Sequence, residues 1–150
     1  LHRKEAREVA RESLVLLKNR LDTLPLKKDA TIAVVGALAD SKRDMMGSWS
    51  AAGVAGESAN VPTGIRNAGG AKGTILYAPG SNITNDKSIV AFLNLYEPAV
   101  VQDKRRPQEM IDEAATLAKK SDVVVAVVGE AQGMAHEASS RTDLVWIFKK

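Results

Sequence analysis

Residues 123–128 constrain the fold of this chain most, because they form an unbroken apolar run that is mostly β-branched. A run of this kind that stops at Gly129 is typical of a strand covered on both faces, as in the middle of a parallel sheet. Ligand sites in such sheets lie beyond the carboxyl ends of the strands. Glu130 and Glu137 follow the run, so we expect both carboxylates on a loop that a rigid strand holds at the end of the sheet where ligands bind.

The composition is that of an ordinary globular domain. At 150 residues, 45% hydrophobic and 26% charged, the chain is expected to fold as one domain or most of one. The net charge of +3 is dispersed among acids, and the basic run at residues 104–106 is read as a solvated loop, so we predict no nucleic-acid partner. With no cysteine there is no disulfide or thiolate metal site, and no apolar run is long enough to predict a membrane anchor.

Helical and strand patterns alternate along the chain, which predicts a mostly parallel sheet with crossover helices. Amphipathic spacing predicts a helix at residues 3–20. Pro62 at the first turn favours a short helix at residues 61–68, and Pro107 at the start, early acids and two late lysines predict a helix at residues 107–120. Short apolar runs closed by glycine or proline predict strands at residues 30–36 and 73–78, in addition to residues 123–128. On the surface of the first helix we expect ion pairs of Arg3 with Glu8, and of Arg7 or Arg11 with a neighbouring glutamate.

Residues 37–56 are rich in Gly, Ser and Ala, which predicts a long loop over the carboxyl end of the first strand. Met45, Met46 and Trp49 are its expected apolar anchors. The indole of Trp49 can stack on a sugar ring or pack between two domains, and packing at an interface is the favoured interpretation.

Neither nucleotide nor metal binding is predicted from the motifs. Gly36 and Gly129 each end a strand, but no G-x-G-x-x-G or phosphate-loop spacing follows them. His136 stands beside Glu137, yet the spacing to other carboxylates is nonspecific, so no metal and no cofactor are expected. His136 is instead read as a loop residue that contacts solvent or substrate hydroxyls. From the residues alone, a loop glutamate is more often solvated than catalytic, which leaves a noncatalytic, flavodoxin-like binding or interaction module as an alternative.

Three segments of the sequence occur in an informative order: the helical run at residues 6–19 with Leu24-Pro25-Leu26, the strand at residues 32–36, and the block at residues 121–143. Together they resemble the second domain of family 3 glycoside hydrolases, and they are most similar to the periplasmic β-glucosidases of enteric bacteria. The resemblance implies an α/β three-layer sandwich with a mostly parallel, flavodoxin-like sheet. Residues 1–150 would be part of that domain, and an N-terminal barrel domain of the parent chain would lie outside this sequence.

The resemblance also implies roles for individual residues. Glu137 occupies the acid/base position, Glu130 supports its loop, and Arg141 and Asp143 fix the loop conformation. An aspartate nucleophile would come from the barrel. The parent would release glucose from the nonreducing ends of β-glucosides with retention, in the periplasm, without metal or cofactor.

The division of labour has a chemical basis. A retaining glycosidase needs two carboxyl groups about 5–5.5 Å apart, one to attack the anomeric carbon and one to protonate the departing oxygen. A carboxyl group enclosed beneath bound sugar has a raised pKa and stays protonated near neutral pH. This chain would hold only one of the two groups, so we expect it to be inactive alone. After Asp143 the family pattern is lost in residues 144–150, and we expect the domain to be incomplete at its C-terminus.

Overall fold

The computed structural model describes residues 2–50, 52–69, 72–95 and 100–135, together with residues 137 and 139. The strands within these ranges are β1 (Thr31–Val35), β2 (Thr74–Ala78) and β3 (Val123–Ala126). The α-helices are α1 (His2–Glu12), α2 (Val61–Gly69), α3 (Lys87–Leu93) and α4 (Pro107–Lys119). In this part of the chain, no helix combines the length and apolar character needed to cross a membrane.

The three strands form a parallel sheet in the order β2-β1-β3, which confirms the predicted α/β class. The register places Ile32 beside Ile75 of β2 and Val123 of β3. The chain leaves β1 toward one side to form β2 and then returns to the other side to form β3. The connections therefore diverge at β1, and the crevice between the carboxyl ends of β1 and β3 is the switch point at which open α/β sheets bind ligands.

Helices cover both faces of the sheet around β1, which produces three layers. Ile32 and Val34 lie on one face in a buried cluster with Val61 and Ile65 of α2. The opposite face packs against α4, whose Met110 is 1% exposed. At the start of α4, the Glu109 side chain accepts the N–H of Arg106 at 3.0 Å, so this predicted helix begins with a capped first turn.

The expectation that the strand at residues 123–128 is covered on both faces was wrong. The strand ends at Ala126, and β3 lies at the edge of the described sheet, where its residues alternate between half-buried and exposed. Val124 is 45% exposed and borders a groove of about 1020 Å³ between β3 and α4. The buried central strand is β1, because the chain crosses back past it before forming β3. An apolar run on its own does not distinguish these two positions.

The first helix is shorter than predicted. It ends at Glu12, and residues 13–19 have no regular structure and are exposed. None of its residues is buried, so amphipathic spacing over residues 3–20 did not lead to packing. Arg3 pairs with Glu57 instead of Glu8, whereas the predicted pairing of Arg11 with a neighbouring glutamate is confirmed by its 3.3 Å contact with Glu8.

Helix α3 was not anticipated from the sequence. Asp86 caps it, because its side chain accepts the backbone N–H groups of Ser88 and Ile89 at 2.8 and 3.3 Å. Leu93 at its end is 4% exposed and packs toward the loop that follows β3. The predicted departure from the family pattern in residues 144–150 lies outside the described residues.

Candidate functional site

Gly36 brings the carboxyl ends of β1 and β3 together. Its φ of +137° is a conformation that side chains rarely adopt, and a Cβ atom here would lie 2.1 Å from the carbonyl oxygen of Val127. The N–H of Val127 donates to the carbonyl oxygen of Val35 at 2.7 Å, which extends the pairing one residue beyond β3. The two loops that leave these strands therefore start side by side.

Gln132 joins the two loops. Its Nε2 donates to the carbonyl oxygen of Gly47 at 2.5 Å and to Ser50 Oγ at 2.9 Å. Its Oε1 accepts from Arg43 Nε at 2.8 Å. One amide side chain, placed after β3, thus uses both its donor and its acceptor on the loop that follows β1, and its contacts fall on either side of Trp49.

The backbone around Gln132 is held as firmly as its side chain. The Gln132 N–H donates to Asp44 Oδ1 at 2.6 Å, while Asp44 Oδ2 accepts from the Ser41 hydroxyl at 2.5 Å. The Ser48 hydroxyl donates to the Gln132 carbonyl oxygen at 2.8 Å and also contacts the carbonyl oxygen of Ala135. We use the name interloop clamp for Arg43, Asp44, Ser48 and Gln132. Through Ser48 the clamp contacts Ala135, which lies two residues before Glu137.

The end of helix α3 packs against the loop that follows β3. Ala131 is 2% exposed, and a Cβ atom on Gly133 would lie 2.9 Å from Leu93 Cδ2, so the loop is packed closely against the end of α3. An Arg43 terminal nitrogen donates to the Leu93 carbonyl oxygen at 3.4 Å. The clamp is thereby connected to a regular element of the fold.

The rim beside β2 is polar. Asn82 contacts the backbone of Asp103 in both directions, because its Oδ1 accepts the Asp103 N–H at 2.9 Å and its Nδ2 donates to the Asp103 carbonyl oxygen at 3.1 Å.

Burial, with Asp40 and Glu113 nearby, raises the pKa of the Tyr77 phenol. Tyr77 therefore remains a hydroxyl at neutral pH, and it donates to the Gly36 carbonyl oxygen at 3.5 Å.

Three of the predicted site residues lie within the described chain. Glu137 is exposed and Glu130 is half-buried, both on the loop that follows β3. Trp49 is 75% exposed on the loop that follows β1. His136, Arg141 and Asp143 lie outside the described residues. The clamp brings the segments of Trp49 and Glu137 together, since Ser48 contacts Ala135. Across the residues that the structure describes, no three His, Asp or Glu side chains converge as a metal-binding group.

The apolar anchors expected for residues 37–56 were wrong in two of three cases. Met45 is 52% exposed and Trp49 is 75% exposed, and Met46 alone is half-buried. Polar contacts to Gln132 hold this loop instead. Sequence reasoning missed them because the partners are more than 80 positions apart. The signal present in the sequence is a cluster of short polar residues after one strand and an amide after another.

The comparisons with known proteins agree with this architecture. Residues 14–148 match the family described as the glycosyl hydrolase family 3 C-terminal domain. A periplasmic β-glucosidase of Salmonella typhimurium is 74% identical over 144 residues, which cover 96% of this chain and 19% of that protein. The thermostable β-glucosidase B of Acetivibrio thermocellus is 34% identical over 95% of the chain, which spans 16% of that relative.

A solved structure has the same fold. The β-glucosidase of Listeria innocua in complex with glucose superposes with a TM-score of 0.67 at 29% sequence identity, over 93% of this chain and 16% of that one. The chain therefore spans less than a fifth of the length of these relatives.

Proposed function

Because this chain belongs to the family of glycosyl hydrolase family 3 C-terminal domains, we propose that it supplies the acid/base carboxylate, Glu137, of a longer β-glucosidase. The observation that carries the proposal is the position of Glu137. It lies exposed on the loop beyond β3, at the switch point of the sheet, and the segment before it is held by the interloop clamp. An exposed carboxylate on a braced loop is suited to serve a substrate bound outside this domain.

The remaining parts of the reaction come from outside this chain. In our proposal an N-terminal barrel carries a nucleophilic carboxylate and binds the terminal nonreducing β-D-glucosyl unit. The nucleophile attacks the anomeric carbon as the glycosidic C–O bond breaks, and the acid gives its proton to the departing oxygen. The same residue, now a base, takes a proton from the water that hydrolyses the glycosyl-enzyme. The Salmonella relative is named periplasmic, and we extend that location to this protein.

His136, Arg141 and Asp143 flank Glu137 in the sequence, and Glu130 precedes it on the same loop. We assign them to substrate contact and to support of the loop. Trp49 is exposed and adjoins the clamp, which suits either packing against the barrel or stacking on the sugar. Packing remains our favoured role for it.

The test is Glu137→Gln in the longer protein, measured with two aryl β-glucosides. For phenyl β-glucoside, a poor leaving group, kcat/KM should fall by about 10²–10⁴-fold, the usual contribution of general acid catalysis. For 2,4-dinitrophenyl β-glucoside, whose leaving group needs no proton, kcat/KM should change little. Azide should raise turnover of the second substrate, because it attacks the glycosyl-enzyme without a base.

Glu130→Gln is the matched control, since it changes the other carboxylate of the same loop. Because Glu130 is assigned to support of the loop and not to proton donation, any loss for phenyl β-glucoside should be much smaller than that of Glu137→Gln. If Glu137→Gln leaves the phenyl substrate unaffected, or if Glu130→Gln gives the selective loss instead, the assignment of Glu137 is wrong. The 150-residue chain alone should release no measurable aryl alcohol, because it lacks the second carboxylate.

A further inference from the structure

Gln132 is the residue through which the loop after β1 fixes the loop of Glu137. Among the described residues it makes five hydrogen bonds to five residues of the first loop, counting its backbone and side chain, and all of them are 2.5–2.9 Å long. Its side chain is half-buried. The side-chain amide uses both its donor and its acceptor, and holding it in one conformation costs side-chain entropy that these contacts must offset.

The geometry assigns Gln132 as the positioning residue for the proton donor, an inference that rests on the proposed function. Between Gln132 and Glu137 the chain has only four residues, and the Ser48 hydroxyl contacts the carbonyl oxygen of the third of them, Ala135. Movement of Gln132 therefore shifts the backbone that carries Glu137. A misplacement of about 1 Å in a catalytic group can lower the rate about 100-fold.

The clamp holds Gln132 through both its side chain and its backbone. Arg43 Nε donates to the Gln132 side chain, and Asp44 accepts the Gln132 backbone N–H. Arg43 is in turn connected to the end of α3 through the Leu93 carbonyl oxygen. The clamp thus connects the loop of Glu137 to both the loop after β1 and the end of α3. Loss of the Gln132 amide should therefore loosen the loop of Glu137 without disturbing the sheet.

The test is Gln132→Met in the longer enzyme, because methionine keeps the length of the side chain and removes the amide contacts. Matched against it is Gln108→Met, which removes one amide contact, to Asp112 at 2.8 Å, on the exposed surface of α4. Both variants are assayed for kcat/KM with phenyl and 2,4-dinitrophenyl β-glucosides, since this parameter reports only the steps up to departure of the aryl group.

We expect Gln132→Met to lower kcat/KM by about 10–100-fold for phenyl β-glucoside and by less than about threefold for the dinitrophenyl substrate. Gln108→Met should leave both values unchanged. A residue with a merely structural role would lower both by the same factor, because fewer molecules would be folded. Equal losses for the two substrates, or no loss, would overturn the inference.

Two further variants keep the test decisive. Should Gln132→Met not fold, Ser48→Ala removes the hydroxyl that contacts both Gln132 and Ala135, and it should give the same selective loss. Absence of that selectivity in Ser48→Ala would then overturn the inference. Glu137→Gln, run in parallel, separates the two hypotheses. If Glu137→Gln is selective and the clamp variants are not, only the positioning role fails, whereas a nonselective Glu137→Gln removes the proposed function itself.

Discussion

Substitution of Gly36 by alanine tests how the fold builds its switch point. The added Cβ would lie 2.1 Å from the Val127 carbonyl oxygen, and the residue would keep a φ of +137° only under strain. Backbone strain of this kind costs about 1–3 kcal/mol. Separating the strands to relieve the clash weakens the hydrogen bond from Val127 to Val35, a net loss of about 0.5–1.5 kcal/mol. We therefore expect Gly36→Ala to lower the free energy of unfolding by about 1.5–4.5 kcal/mol.

The assay is urea unfolding followed by circular dichroism. With an m-value of about 2 kcal/mol/M, the midpoint should fall by about 1–2 M. Gly64→Ala is the matched control, because Gly64 lies inside α2 and a Cβ there meets no atom within 4 Å. This control should be stabilised by about 0.5–1 kcal/mol, since alanine is the better helix former. If the two variants had equal midpoints, the close approach of β1 and β3 at Gly36 would be refuted.

Two further predictions concern the helices. Met110→Ala truncates a side chain of α4 that is 1% exposed and faces the sheet, and it should lower the free energy of unfolding by about 2–5 kcal/mol in the same assay. An unchanged midpoint would show that α4 does not cover the sheet. The Ser88 hydroxyl and the N–H groups of Ser88 and Ile89 lower the pKa of Asp86 from 3.8. Because the folded-state pKa is the lower one, Asp86 stabilises α3 above pH 3.8, and this contribution is lost as the pH falls through the folded-state pKa. The free energy of unfolding, measured from pH 2 to 7, should be lower for Asp86→Ala than for the unsubstituted protein at neutral pH, and this difference should shrink in acid. A difference that is independent of pH would contradict the cap.

The sequence predicted the parts of the fold that depend on local pattern. Strands β1 and β2 and helices α2 and α4 were each located to within two residues, because their apolar periodicity and their proline or glycine boundaries are local signals. Helix α1 was placed too long, since apolar spacing at Leu16 and Leu17 does not reveal whether a packing partner exists. The order of the strands, and with it the edge position of β3, depends on the side of β1 toward which each crossover connection runs. No single segment of the sequence specifies that direction.

The candidate site was predictable only in outline. The position of Glu130 and Glu137 beyond a strand follows from the apolar run at residues 123–128, and the catalytic role proposed for Glu137 comes from family resemblance. The clamp was invisible, because Gln132 meets Asp44 and Gly47 across more than 80 positions and such pairs leave no periodic trace in a single sequence. His136, Arg141 and Asp143 remain predictions.

The most direct test of the central claim is the structure of the longer protein with a glucose-derived inhibitor in its site. We predict that a carboxyl oxygen of Glu137 lies within about 3.2 Å of the position of the glycosidic oxygen, and that its carboxyl group lies about 5–5.5 Å from a second carboxyl group outside this chain. A Glu137 side chain more than about 8 Å from the bound sugar, with another acid beside the glycosidic oxygen, would contradict the account.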